Sequence, residues 1–305
     1  MNVKAAWLLV WCVGCVIGAD AEPVAHRFLK SGCGSGSVAI VAADGKVAWE
    51  YPLAEETSDS WLLPEGHVIF AFKRGVREVD AAKQTVWEYL APKDAEVHAC
   101  QPLGEGWFLL GESRKGGSRV MEMNRAQKIR LEFNVADAAG TPHNQFRQIR
   151  KTPQNTYLVT QQRGGGKARE FDATGKLVRE FAAGRYVAIR LGNGHTLLAC
   201  SDEHRVLEVD ARDRIVWQVT EKELPGNQLA CVAGLHRLAN GNTVICNWSG
   251  HINKKNHPAF ATQPQLVEVT PGKKVVWEVR NPALKMISSI NILDGGDPLA
   301  GQSWR

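Results

Sequence analysis

The sequence predicts an all-β fold in which six blades, each a sheet of four antiparallel strands, close into a ring. The prediction rests on a motif that occurs five times: a Glu, an apolar residue and a polar residue, followed seven positions later by an anchor residue. The motifs begin at Glu78, Glu122, Glu170, Glu208 and Glu268. With a sixth, degenerate copy, the anchors are Trp49, Trp87, Leu131, Arg179, Trp217 and Trp277, which lie 38, 44, 48, 38 and 60 residues apart. A repeat of roughly 40 residues built from short strands is typical of a β-propeller blade.

Each repeat is expected to contain four strands, A to D, separated by polar or glycine-rich turns. The repeat around Gly194 shows this most clearly, because apolar and polar residues alternate along its third strand. Its predicted strands span residues 186–191, 196–200, 205–210 and 215–219. The repeated Glu is expected to be structural, either solvated or tethering one blade to another.

The two ends of the chain are expected to share the sixth blade. Residues 37–41 and 46–51 would supply its C and D strands, and residues 286–293 and 298–304 its A and B strands. Joining the ends in this way closes the ring and removes the exposed sheet edges that invite aggregation. The sequence therefore predicts a single propeller domain over residues 22–305.

Residues 1–21 have the features of a signal peptide. Lys4 provides a positive charge, residues 5–17 are apolar, and Ala19 and Ala21 form a small-x-small cleavage site. The apolar stretch is shorter than a usual membrane-spanning helix. We expect a periplasmic or secreted protein, and membrane attachment only under the alternative that Cys15, in a lipobox-like context, is lipidated.

Composition limits the classes of partner. The 305 residues are 44% hydrophobic and 23% charged, and the net charge of +5 is dispersed, so nucleic-acid binding is not expected. Removal of the signal peptide would leave five cysteines, an odd number, so at least one thiol is unpaired in a monomer. A disulfide between Cys200 and Cys246 stays open as a possibility. We expect a monomer.

The repeat resembles the blade motif of quinoprotein-type (PQQ-like) propellers. The copy that begins at Asp172 and runs through Gly175 to Lys176 carries the resemblance best, although Arg179 replaces the aromatic anchor. The resemblance covers nearly the whole mature chain, and it implies that the Trp anchors pack between neighbouring blades. It does not extend to a quinone site, because the vicinal Cys pair of quinoprotein dehydrogenases is missing and six blades is not their usual number.

The face that carries the B–C loops and the D–A connections is where we expect a functional site. Its loops vary in length and composition, whereas the turns of the opposite face are uniform. Aligned on the A–B turns, Ser58, His98, Arg147 and Tyr186 hold equivalent positions at the starts of inner strands, where they should point toward one mouth. His98, Arg147 and Tyr186 are the predicted catalytic candidates.

Further candidates for ligand binding come from the same strands and loops. They are Gln101, His143, Arg163, His204, Trp248 and His251. Histidine, arginine and aromatic residues around a concave mouth suit an anionic or carbohydrate ligand. His98, His143 and His251 could form a three-histidine metal site, but no close-spaced ligand motif supports one, so we predict no metal.

Two functions are consistent with this pattern. The first is an exported binding or scaffold protein whose mouth takes a small anionic or carbohydrate ligand, or a protein partner on the loop face. The alternative is an enzyme resembling six-bladed arylsulfotransferases or propeller polysaccharide lyases. In that case His98 would be the nucleophile or base, Arg147 would bind the anion and Tyr186 would act as the acid. The sequence identifies no cofactor.

Overall fold

A computed structural model describes residues 24–136, 140–162, 166–226, 229–250 and 263–294. The predicted signal peptide, Cys15 and the predicted strand at residues 298–304 lie outside these ranges. Among the described residues, no helix is both long enough and apolar enough to cross a membrane.

The first strands of the chain are short and separated by tight turns. Three of them precede the first repeat: β1 (Phe28–Ser31), β2 (Ser37–Val41) and β3 (Val47–Pro52). Blade 1 follows with β4 (Thr57–Leu62), β5 (Val68–Phe72), β6 (Gly75–Val79) and β7 (Thr85–Leu90). Blade 2 contains β8 (Ala95–Gly104), β9 (Trp107–Arg114), β10 (Ser118–Asn124) and β11 (Ile129–Val135).

The remaining blades repeat this arrangement. Blade 3 contains β12 (Phe146–Lys151), β13 (Tyr157–Gln161), β14 (Ala168–Phe171) and β15 (Leu177–Glu180). Blade 4 contains β16 (Ala188–Arg190), β17 (Thr196–Ala199), β18 (Arg205–Val209) and β19 (Ile215–Thr220). Blade 5 contains β20 (Val232–Arg237), β21 (Thr243–Asn247), β22 (Leu266–Val269) and β23 (Val275–Val279), and β24 (Ser289–Ile292) follows.

The sixth blade joins the two ends of the chain, which confirms the predicted ring closure. Its strand order is β24-β1-β2-β3, and Ser31 pairs with Ser289 in an antiparallel register. The predicted division of this blade was wrong in one respect: its B strand is Phe28–Ser31, from the N-terminal side, so the chain start supplies three strands and the chain end supplies one. The segment was missed because it is only four residues long and contains Lys30, whose buried ammonium donates to Ser35, Ser37 and the Leu284 carbonyl.

The anchor residues connect each blade to the next, as the resemblance implied. The indole N–H groups of Trp49, Trp87 and Trp217 donate to the carbonyls of Ala81, Arg125 and Pro271 in the following blade. Arg179, the non-aromatic anchor, makes the equivalent bond through its guanidinium to the Asp210 carbonyl. Trp87 is buried, whereas Trp217 and Trp277 are only half-buried.

The repeated Glu tethers blades, which resolves the two alternatives left by the sequence. Each of the five carboxylates is buried and accepts a hydrogen bond from a cationic or imidazole group of the next blade. The pairs, with their distances, are Glu78 with Arg125 at 2.7 Å, Glu122 with Lys151 at 2.6 Å, Glu170 with Arg190 at 2.6 Å, Glu208 with Arg237 at 2.7 Å and Glu268 with His26 at 2.7 Å.

A buried ion pair bridges the central channel. Arg150 in β12 forms two hydrogen bonds to the carboxylate of Asp59 in β4, at 2.8 and 3.0 Å. These strands belong to blades 1 and 3, which are not neighbours in the ring. The pair therefore spans the channel next to the residues at the mouth.

Loss of the Trp87 side chain should destabilise the protein more than loss of Trp217. We expect Trp87→Ala to lower the free energy of unfolding by about 3–5 kcal/mol, since it empties a buried site stacked on Phe108. Trp217→Ala should lower it by clearly less, because that indole is already half-exposed. Urea unfolding followed by circular dichroism measures both, and equal losses would contradict this account of the anchors.

Deletion of residues 286–305 should open the ring, because it removes β24, the inner strand of the closing blade. We expect the truncated chain to lose cooperative thermal unfolding. A chain that ends after residue 294 keeps all four strands of that blade and is the matched control. A 1–285 chain that melts at the temperature of the full chain would show that closure is not needed for folding.

Candidate functional site

Three inner strands carry an irregularity at the mouth of the central channel. The pairing register of β4, β8 and β12 with the adjacent strand shifts at Ser58, at His98 and at the segment that contains Arg147. A β-bulge changes the direction of a side chain relative to its sheet, and such bulges are frequent beside functional sites. The irregularities explain how residues from three blades come to face one space.

That space is the mouth pocket, with a volume of about 50 Å³. Its lining residues come from the inner strands and from the loops around them. They are Cys33, Glu56, Ser58, His98, His143, Asn144, Arg147, Gln162, Tyr186 and Trp248. The structure thus brings together all three predicted catalytic candidates, and two of the six residues predicted to bind the ligand, His143 and Trp248.

The other predicted residues do not line this pocket or are not described. Gln101 is buried in β8, and its side-chain oxygen accepts a hydrogen bond from the Lys151 amide at 2.8 Å. His204 is held by a hydrogen bond from its ring to the Leu229 carbonyl. Both side chains are thus engaged elsewhere in the fold. Arg163 and His251 lie outside the described residues.

His98 is the centre of the pocket's hydrogen-bond network. Its Nδ1 lies 3.0 Å from the hydroxyl oxygen of Ser58, and its Nε2 lies 3.1 Å from a carboxylate oxygen of Glu96. The same Glu96 oxygen lies 3.0 Å from Nδ1 of His143. Because an ionised carboxylate only accepts, the consistent proton assignment has both imidazoles donating to Glu96 and the Ser58 hydroxyl donating to His98.

Arg147 lies against both imidazoles. Its Nη1 donates to the His143 carbonyl at 2.7 Å and lies 3.3 Å from His98 Nε2, and its Nη2 lies 3.1 Å from His143 Nε2. The residue is 7% exposed. Within the described parts of the chain, no carboxylate lies within 4.0 Å of this guanidinium, whereas the similarly buried Arg150 pairs with Asp59.

The surroundings keep His98 neutral. Burial lowers the pKa of His98 to about 4, and the positive charge of Arg147 acts in the same direction against the hydrogen bond to Glu96. Burial alone would raise the pKa of Glu96, but the hydrogen bonds from His143 and His98 outweigh it and hold that pKa below its usual range. At neutral pH the pocket therefore holds a neutral His98 beside an ionised Glu96.

The other two titratable groups of interest stay protonated. Burial, with the hydrogen bond to Glu56, raises the pKa of Cys33 to about 12, so its thiol is not an active nucleophile. Burial also raises the pKa of Tyr186. Its phenol can donate a hydrogen bond to a ligand, but it does not ionise near neutral pH.

Glu96, His98 and His143 have the spacing of metal ligands, with their donor atoms within 4.8 Å of one another. In the structure, these atoms form hydrogen bonds with one another and with Arg147. Arg147 donates to Nε2 of His143, so the proton of that ring sits on Nδ1, the nitrogen that a metal would need. The guanidinium also places a positive charge beside the set. These contacts favour a hydrogen-bonded network over a cation site.

Sequence reasoning left out several residues that line the pocket, and it left out Glu96, which is hydrogen-bonded to the two imidazoles. Ser58 shares the aligned position of His98, Arg147 and Tyr186, so the alignment itself could have included it. Glu96 stands two residues before His98 in the same strand, and residues at that spacing share a face. Cys33 and Gln162 belong to connections whose position the repeat does not specify, so no sequence signal identified them.

The fold and this pocket define a six-bladed β-propeller with a polar site at one mouth. No family model and no curated protein matches the chain. A crystal structure of a protein of unknown function from Bacteroides caccae is similar over 88% of this chain and 98% of that one, with 30% identity and a TM-score of 0.79. The chain belongs to the same propeller family as that protein.

More distant structures share the fold alone. A catalytically inactive histidine-to-alanine variant of virginiamycin B lyase from Staphylococcus aureus, solved with quinupristin, matches with 13% identity and a TM-score of 0.56, over 80% of this chain and 77% of that one. The calcium-binding protein regucalcin from Agrobacterium tumefaciens matches with 13% identity and a TM-score of 0.58, over 84% and 94%. The resemblance to quinoprotein-type repeats stays an interpretation of the sequence.

The electrostatics of the pocket predict how His98 titrates. We expect its ring to remain neutral as the pH falls to about 4, and Arg147→Gln to move the pKa upward because a neighbouring positive charge is removed. Nitrogen chemical shifts of the imidazole, followed by NMR, measure both values. Arg205→Gln, on the same face but paired with Glu203, should leave the titration unchanged. Titration of His98 near 6.5 in the parent protein would contradict the assignment.

Proposed function

We propose that this protein is an exported propeller that binds a small anionic ligand in the mouth pocket, where the ligand pairs with Arg147. The observation that carries the proposal is a guanidinium that is 7% exposed and has no carboxylate within 4.0 Å in the described ranges. Buried charges in proteins are ordinarily paired, because an uncompensated one is costly.

Two carboxylates stand in the same region without lying within 4.0 Å of the Arg147 guanidinium: Glu96 is hydrogen-bonded to both imidazoles, and Glu56 lines the pocket. The nearest side chains to Arg147 are imidazoles, and His98 is neutral near neutral pH. Among the described residues, Arg150 is the other buried arginine and pairs with Asp59, and the partly buried Arg237 pairs with Glu208. A carboxylate, phosphate or sulfate group on a ligand would complete the pairing of Arg147, with the geometry that a guanidinium offers to planar or tetrahedral anions.

The rest of the lining limits what else the ligand carries. The side-chain oxygen of Gln162 is buried and has no hydrogen-bond partner among the residues that the structure describes, so it can accept from a hydroxyl or N–H group of the ligand. The pocket is small, about 50 Å³, and open at one side, so we expect the anionic group of the ligand to be the part that reaches Arg147. A carbohydrate ligand would therefore enter through a charged substituent, with its ring at the rim.

Export and the monomeric state belong to the same proposal. They rest on the signal-peptide features of residues 1–21 and on the closed ring, which leaves no unpaired inner sheet edge in the described blades. The mature chain would begin at Glu22.

The alternative function is catalysis on such a ligand. The observation that favours it is the 3.0 Å hydrogen bond between Ser58 and His98. A role for His98 as nucleophile, as in an arylsulfotransferase-like reaction, is disfavoured because both of its ring nitrogens are engaged, by Ser58 and by Glu96. A role as base fits the same contacts.

Removal of the Arg147 charge should weaken the binding of small anions. We expect Arg147→Gln to weaken binding about 10- to 100-fold, the value of a hydrogen-bonded charge pair. Isothermal titration calorimetry with acetate, phosphate, aryl sulfates and uronate oligosaccharides measures the change and identifies the anionic group. Arg205→Gln is the control, since that arginine lies on the same face but already pairs with Glu203.

The outcomes separate clearly. Binding that is lost in Arg147→Gln and kept in Arg205→Gln supports the proposal. Equal affinities in the two variants would overturn it. So would the absence of binding by any anion of the panel to the parent protein.

A further inference from the structure

We propose that Ser58, His98 and Glu96 form a nucleophile–base relay that hydrolyses esters of small carboxylic acids. The inference deepens the proposed function and rests on it for the ligand: the anion that Arg147 binds would be the carboxylate product of the reaction. The geometry that points to it is an uninterrupted chain of two hydrogen bonds, of 3.0 Å from Ser58 to His98 and 3.1 Å from His98 to Glu96.

The three groups satisfy the requirements of an activated serine. A nucleophilic hydroxyl must lie within about 2.6–3.2 Å of a base, and a third group must orient that base. Here the hydroxyl of Ser58 faces the unprotonated Nδ1 of His98, while Glu96 holds the proton on Nε2. The roles of the two ring nitrogens are exchanged relative to serine proteases, but the order of hydroxyl, imidazole and carboxylate is the same.

The scaffold fixes these groups from two adjacent blades. Ser58 and His98 stand at the irregularities of β4 and β8, and both are almost fully buried. Glu96 lies on the same strand as His98, so their relative position is set by the strand itself. Sites built on rigid strands hold reactive groups more closely than sites built on loops.

The reaction balances with water as the only co-reactant. The oxygen of Ser58 attacks the ester carbonyl carbon, its proton passes to Nδ1 of His98, and the carbonyl oxygen becomes an oxyanion. Collapse of this intermediate breaks the bond to the alcohol, which takes the proton from His98 and leaves an acyl-Ser58. Water then attacks the acyl group by the same proton route, which releases the carboxylic acid and restores the Ser58 hydroxyl.

The positive charge of Arg147 should stabilise the oxyanion intermediate more than the neutral ester. Ser58 and Arg147 line the same pocket, so an oxyanion formed on an ester at Ser58 would be attracted by the guanidinium, which lies 3.3 Å from Nε2 of His98 and has no carboxylate within 4.0 Å among the described residues. A neutral ester gains little from this charge, whereas the oxyanion gains much, and that difference is what lowers a reaction barrier. The negative charge of the oxyanion would also offset the positive charge of Arg147, which lowers the pKa of His98, while His98 carries the proton taken from Ser58.

The size of the pocket restricts the acyl group. A volume of 50 Å³ accommodates an acetyl-sized group, with the alcohol part of the ester at the open side. We therefore expect acetyl esters to react and long-chain acyl esters to be excluded.

The experiment uses the mature protein and two probes. A fluorophosphonate should attach to Ser58, located by peptide mass spectrometry, and p-nitrophenyl acetate should be hydrolysed faster than p-nitrophenyl octanoate. Ser58→Ala should abolish labelling at that site, and His98→Gln should lower kcat/KM for the acetate about 10²- to 10⁴-fold. Ser60→Ala, two residues along the same strand, is the matched control and should keep both signals.

Glu96 is a positioning residue, because it acts through His98. Its variant is therefore tested by the pH dependence of labelling, which a purely structural role of Glu96 would not change. The charged or polar groups that surround His98 are Glu96 on its own strand, Ser58 on β4, and His143 and Arg147 from blade 3 and the turn before it. In Glu96→Gln the imidazolium loses its carboxylate, so the pH midpoint of labelling should move downward while the rate falls. This measurement also covers the case in which His98→Gln does not fold.

The relay and the anion site can fail separately. Labelling elsewhere than Ser58, or ester hydrolysis in Ser58→Ala within about twofold of the Ser60→Ala control, overturns the relay even if acetate binds at Arg147. Labelling of Ser58 without any anion binding would keep the relay and overturn the proposed binding function.

Discussion

A buried carboxylate that needs a cation from the next blade is the constraint on which this ring depends. Glu122 illustrates it: the carboxylate is buried on β10, and Lys151 of the following blade reaches it at 2.6 Å. Removal of one partner would leave a buried, unpaired charge, which costs far more than an exposed ion pair contributes. These tethers hold five of the six junctions of the ring, from blade 1 through to blade 6, in one position.

The same rule separates structural arginines from the one at the mouth. Arg190 and Arg237 end inner strands and form ion pairs with the tether carboxylates Glu170 and Glu208. Arg150 forms an ion pair with Asp59 across the channel. These pairs fix the inner strands and therefore the direction of the side chains that begin them. Arg147 is as buried as they are, yet only neutral or backbone groups among the described residues contact it. Lys30 is another buried cation without a carboxylate within 4.0 Å in the described ranges, but its ammonium is enclosed by two hydroxyls and a carbonyl, whereas Arg147 lines a pocket that a ligand can enter.

The repeat was enough to predict the fold, because a blade is a local pattern of strands, turns and anchors. It also placed His98, Arg147 and Tyr186 around one mouth, since equivalent positions in successive blades converge on the axis. The features that the sequence did not predict lack such a local pattern. The four-residue strand Phe28–Ser31 carries no pattern of its own, and its pairing with β24 joins segments from opposite ends of the chain. Glu96 was missed because it belongs to no copy of the repeated motif, whose glutamates lie on the third strands of blades 1 to 5.

The electrostatics of the mouth connect binding with chemistry. In the resting pocket, burial and Arg147 together keep His98 neutral, so the Ser58 hydroxyl faces a free lone pair. A negative charge that develops in the pocket offsets the contribution of Arg147 and leaves Glu96 to stabilise the imidazolium. The site therefore has a neutral imidazole, His98, to act as the base, and a positive guanidinium, Arg147, to stabilise an anion. Binding of a small carboxylate and hydrolysis of its ester are two consequences of one arrangement, in which Arg147 lacks a partner within the described fold until the ligand supplies it.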